Sequence, residues 1–160
     1  MKAKVLVFVF TVWTILSFVF PVASQAQDNQ RVPVDVSGQW IGVATQNEGG
    51  YRSEYNLQVY LVQDGDSLSG RSYVNIEDAK IYVDMEIKGS IHSGMLIRLD
   101  DIRMIDYKVR DGMEWCDKRY QLVLKREEDD WVIEGYWQGD TNFSACVPGR
   151  IFLRKTSPRA

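Results

Sequence analysis

The chain has 160 residues, 45% hydrophobic and 26% charged, with a net charge of −3 and a single histidine. That length supplies one domain with one core, and the acidic balance argues against nucleic acid or an anionic membrane as partner. Cys116 and Cys146 are the only cysteines, form no Cys-x-x-Cys, and have only His92 to share a metal with, which argues against a zinc or dithiol centre.

Residues 1–26 read as a secretory signal peptide. Lys2 and Lys4 form a basic head, 5–22 is an apolar run, and Ser24 and Ala26 supply small residues at a cleavage site. The run is long enough to span a bilayer if retained as an anchor, but Pro21 and the small-residue site favour cleavage. Losing Lys2 and Lys4 takes Lys+Arg from 19 to 17 against 22 Asp+Glu, a net charge of −5 on 134 residues. An exported protein, periplasmic or extracellular and free of the membrane after cleavage, follows. There, two cysteines point to one disulfide, Cys116–Cys146, worth roughly 3–4 kcal/mol by loop closure.

Residues 27–36 form a polar lead-in in which Pro33 blocks regular structure. From Ser37 the hydrophobic pattern has period two almost to the end, and no helical period persists beyond two turns. Eight strands are predicted, at 38–46, 54–62, 67–76, 81–91, 95–107, 117–125, 131–139 and 147–154. In the fourth, Ile81, Val83, Met85, Ile87 and Ile91 alternate with polar or amphipathic residues. In the fifth, the phase of Ile97 and Leu99 breaks at Asp100-Asp101, which predicts a bulge or bend.

Face matching sets the hairpin registers. A four-residue loop at 63–66 places Leu61 opposite Leu68, and one at 77–80 places Ile76 opposite Ile81. A three-residue loop at 92–94 places Ile91 opposite Met95, with Gly94 left-handed. A four-residue loop at 127–130 places Leu124 opposite Ile133 and Tyr120 opposite Trp137. Consecutive hairpins with one apolar face close most naturally into an eight-stranded antiparallel up-and-down barrel. Its interior is just wide enough to be filled by side chains or to hold one small ligand. The domain covers 37–156, with 157–160 as a tail.

Ser37-Gly38-Gln39-Trp40 opens the first strand. This resembles the Gly-x-Trp entry of lipocalins and their calycin relatives, in which the tryptophan plugs the closed end of the barrel. The resemblance covers the domain as topology and this stretch as sequence. It departs from the larger lipocalins in lacking a C-terminal helix and the Thr-Asp-Tyr signature, and is similar to short lipocalin-like domains of exported proteins, with avidin-like dimensions.

Trp40, Trp131, Trp137, Tyr55 and Tyr120 share inward parity and either line a cavity or fill the barrel. Gly70, Gly89, Gly135 and Gly149 share that phase and leave space opposite large rings. Asp101 and Arg103 continue the inward parity of Leu99 if no bulge intervenes, and then orient a ligand, form a structural ion pair or stand exposed at the barrel mouth. The candidate ligand residues are therefore Trp40, Tyr55, Asp101, Arg103, Tyr120 and Trp137. His92 reads as a solvated turn residue, 127–130 as a charged hairpin tip, and Asn142-Phe143-Ser144 as a glycosylation acceptor if the source is eukaryotic. Segments 47–52 and 108–115 are the expected mobile loops, with Tyr51, Met113 and Trp115 as rim contacts, a lid or a cap on the core.

No catalytic triad, phosphate loop or metal cluster is present in the pattern, and no cofactor is implied. The expectation is a non-enzymatic exported binding module for a small apolar ligand in the barrel or at its mouth. The alternative is a filled barrel whose loops recognise a protein or glycan at the cell surface. A cavity of roughly 300 Å³ or more favours the first, and a packed interior the second. An enzyme requires Asp101, Arg103 and His92 to converge.

Overall fold

A computed structural model describes residues 34–76 and 80–156, and the expected signal segment, most of the lead-in and the 157–160 tail lie outside them. Eight strands follow in chain order: β1 (Gly38–Thr45), β2 (Glu54–Asp64), β3 (Ser67–Ile76), β4 (Ile81–His92), β5 (Leu96–Lys108), β6 (Asp117–Glu127), β7 (Asp130–Asp140) and β8 (Gly149–Lys155). Each is antiparallel to the next, and β1 pairs with β8 from Trp40↔Lys155 to Ala44↔Ile151, closing the barrel. This is the architecture expected of a lipocalin-like fold. Closure leaves alternate side chains inside, and those are the apolar ones of the period-two pattern.

Two of the four predicted registers stand and two shift. Ile76↔Ile81, Leu124↔Ile133 and Tyr120↔Trp137 are as expected. The β2–β3 turn is tighter than the four residues predicted: Asp64 pairs with Ser67, so Leu61 faces Gly70 rather than Leu68. Gly65, at φ 59°, takes the left-handed position of a two-residue turn. In the β4–β5 turn, Ser93 joins Gly94 at positive φ, and Ile91 faces Ile97 while Met95 stays exposed. Both shifts move the register by two, which is why the apolar faces survive.

The interior is densely filled. Trp40, Leu57, Leu61, Val83, Met85, Ile87, Leu124, Ile133 and Leu153 are all buried. The short turns after β2, β4 and β6 share one end with the entering chain. There Trp40 is fully buried, donates Nε1–H to the Val36 carbonyl at 2.9 Å and lies under Lys155. Val36, placed by its neighbours in the polar lead-in, is itself core. Burying an aliphatic side chain of this kind contributes about 1.5–3 kcal/mol.

The inward glycines do more than leave space for rings. A Cβ on Gly149 would stand 1.7 Å from the Thr45 carbonyl oxygen, and one on Gly89 would stand 1.8 Å from that of Arg98. Adjacent strands close in at these points, and only glycine permits it.

Candidate functional site

The loops 46–53, 109–116 and 141–148 gather at the end of the barrel opposite Trp40. A cavity of about 80 Å³ opens between them. Its walls come from inward positions of β1, β2, β3, β6 and β7 (Ala44, Tyr55, Val74, Lys118 and Trp137), with Tyr51, Met113 and Trp115 supplied by loops. Tyr51 and Trp115 thus line the cavity, and Trp115 also packs against the core.

Gln46 ties the mouth together. Its side-chain oxygen accepts from Tyr51 N at 3.1 Å and from the Tyr55 hydroxyl, and its Nε2 donates to the Val147 carbonyl at 3.2 Å. The β1–β2 loop, expected to be mobile, is therefore bonded to the loop before β8. Trp137 adds a second strap, donating Nε1–H to the Thr45 carbonyl at 2.7 Å. The Cys116–Cys146 disulfide, with Cα atoms 6.3 Å apart, is the third. Both cysteines lie just outside strands, so inward–outward parity places no constraint on them.

Lys118 is the chemical centre of the cavity wall. It follows the inward phase of Tyr120, Leu122 and Leu124 in β6, and its side chain is only 8% exposed. The ammonium sits 4.1 Å from the Trp115 ring centroid and 5.6 Å from that of Trp137. It donates to the Cys116 carbonyl at 3.1 Å and lies 3.9 Å from Asp101 Oδ2. Aromatic faces favour a desolvated cation, but they do not replace its water. Burial pulls the Lys118 pKa down to about 8, against the opposing pull of Asp101 and Asp117.

Asp101 is held beneath by two hydrogen bonds. Oδ1 accepts from the Tyr120 hydroxyl at 2.9 Å, and Oδ2 accepts from the Lys118 backbone N–H at 3.0 Å. Its side chain has no exposed surface. Burial raises its pKa, with Lys118 as the largest opposing influence. The Tyr120 hydroxyl is pushed up for the same reason, burial first and the Asp101 charge next. Around this trio, the buried Trp115 Nε1 and Ser72 Oγ make no hydrogen bond of ordinary geometry among the described residues.

The six predicted ligand residues separate into four places. Tyr55 and Trp137 line the cavity, Asp101 and Tyr120 form the polar layer adjoining Lys118, and Trp40 plugs the far end. Arg103 is on the outside. The β4–β5 register slips between Glu86 and Ile87, leaving Ile102 as an extra residue that turns Arg103 outward onto Glu86 at 2.5 Å. Trp131 is half-buried beside Arg126 near the opposite turn. His92 is exposed at the end of β4 and bonded to Ser90, so Asp101, Arg103 and His92 do not converge. Asn142 and Ser144 are exposed in the β7–β8 loop.

Sequence reasoning missed Lys118 and Gln46. For Lys118 the signal was present: a charged residue in phase with three buried ones. Gln46 carries none, because its role arises from loops distant in sequence. Comparison with family models, with curated proteins and with solved structures finds no match to this chain.

Proposed function

We propose that this protein is an exported, non-enzymatic binding module that takes a small amphiphilic ligand at the mouth of its barrel. One observation carries the reading: a lysine ammonium buried in a cavity wall between two tryptophan faces, with one ordinary hydrogen bond and one long ion-pair contact. A buried cation so lightly partnered is costly by itself. A carboxylate or carbonyl oxygen from a ligand would complete its shell, while Ala44, Val74, Tyr55 and Trp137 cover an apolar body. About 80 Å³ accommodates roughly five to eight non-hydrogen atoms, taking about 10–15 Å³ for each water-sized occupant. The ligand is therefore shorter than the long apolar molecule a hollow barrel would hold.

The lipocalin-like placement is supported by the closed barrel, the Gly38–Trp40 entry and the buried tryptophan at the plugged end. The disulfide accords with an oxidising compartment.

A second reading, the filled barrel that recognises a protein or glycan through its loops, is favoured by the cavity falling below roughly 300 Å³. Exposed Tyr51, Tyr107 and Phe143 would then form the contact. Native mass spectrometry and calorimetry with four- to six-carbon carboxylates separate the two. The proposal expects saturable one-to-one binding that Lys118→Met weakens by about tenfold or more, the effect of losing one charged hydrogen bond. No saturable binding of any of these compounds leaves the surface reading.

A further inference from the structure

We infer that Lys118 captures small aldehydes covalently, its Nζ condensing with a carbonyl carbon in the mouth cavity to form an imine. The inference rests on the mouth being a ligand site and adds a reaction to it. Lys118 is the one buried lysine among the described residues. It also belongs to the wall of a partly open cavity whose other members are mostly apolar and aromatic. The Lys118 side chain is only 8% exposed, which suits an imine, because hydrolysis requires water to reach the bond.

The partners of Nζ suit the chemistry. Its hydrogen bond to the Cys116 carbonyl, 3.1 Å long, orients the amine without occupying its lone pair. Asp101 Oδ2, 3.9 Å away, is too far to lock the ammonium and near enough to exchange a proton with it after a small movement. Tyr120 and the Lys118 backbone hold that carboxylate in place.

Proton release is the usual obstacle to lysine chemistry. With a pKa of about 8, roughly a tenth of Lys118 is neutral amine at pH 7. An ordinary lysine near 10.4 has roughly one part in 2,500 neutral.

The balance is complete without an oxidant or a metal. Asp101 takes a proton from the ammonium. The freed lone pair bonds to the carbonyl carbon, the C=O pair moves to oxygen, and one N–H proton of the adduct passes to that oxygen, giving a neutral carbinolamine. Asp101 returns its proton as the C–O bond breaks and water leaves. The products are a protonated imine and one water.

Pentanal and benzaldehyde, with six and eight non-hydrogen atoms, match the space. The test incubates the full chain, disulfide intact, with each aldehyde and cyanoborohydride near neutral pH. Peptide mass mapping then locates the reduced adducts, with the exposed lysines as internal comparison. The expected result is labelling of Lys118 at least about tenfold faster than any other lysine. Labelling spread over Lys80, Lys88, Lys108, Lys125 and Lys155, with Lys118 no faster than they are, overturns the inference. A parallel titration with pentanoate, which cannot form an imine, keeps the two claims apart. Pentanoate binding without selective Lys118 labelling defeats only the imine, whereas failure of both defeats the mouth site as well.

Discussion

Asp101, Lys118 and Tyr120 form a polar knot in an otherwise apolar tube, and each is held there by the others. Replacing Asp101 by Asn leaves one acceptor oxygen for two donors, Tyr120 O–H and Lys118 N–H. It also removes the charge nearest the ammonium. Urea unfolding of Asp101→Asn is expected to show a loss of about 1–3 kcal/mol, the cost of an unsatisfied buried donor. Lys118 also leaves a mark on the pH dependence. Its folded pKa, about 8, lies below the ordinary value of 10.5. Between those values the unfolded chain binds more protons than the folded one, so stability rises with pH across that window. The wild-type midpoint in urea should climb from pH 8 to 9.5, and Lys118→Met should abolish the climb. A slope unchanged by the substitution would mean that Lys118 is not desolvated. At the opposite end, Trp40→Ala is expected to cost about 3–5 kcal/mol and to leave mouth binding otherwise intact.

Among the elements, β5 departs most from the regular pattern. Its pairing with β6 runs only from Leu96↔Val123 to Asp100↔Arg119, whereas its pairing with β4 continues to Lys108. Beyond Asp101 every residue of the strand is exposed, including Ile102, Met104, Ile105 and Tyr107. Two register shifts, leaving Ile102 and Ile105 as extra residues, twist this portion, a device that blunts an open strand edge. Amide hydrogen exchange should therefore divide β5, with slow amides at 96–100 and many faster ones at 102–108. Uniform protection along the strand would show that another element covers this edge. The break in phase at Asp100-Asp101 is readable from the residues alone. Its consequence for Arg103 is not, because an inserted residue reverses the facing up to the next insertion, and the pattern does not say where either sits.

For the whole molecule, the order of the strands and the closure of the barrel were legible, since period two survives in each segment. The apolar faces also tolerated two wrong turn lengths, because register errors of two preserve facing. The site was legible only in part. Tyr55 and Trp137 were found by parity, while Lys118 was passed over although it shares the phase of Tyr120. A charged residue in an inward row marks an unusual environment, and the aromatic rings distracted from it. The straps at the mouth join loops far apart in the chain, which local patterns do not register. The disulfide is the exception, legible from the cysteine count, and its reduction should lower stability by roughly 3–4 kcal/mol for a separation of 30 residues. Because Cys116 belongs to the cavity wall, reduction should weaken carboxylate binding as well, measurable by calorimetry with and without reductant.

The claim on which these readings converge is that ligands enter at Lys118 and go no deeper. Nitrogen-15 spectra of the tryptophan indoles during a pentanoate titration test it most directly. Saturable shifts at Trp115 and Trp137, with Trp40 unmoved, are the predicted result. Shifts at Trp40, or none at the two mouth tryptophans, would contradict it.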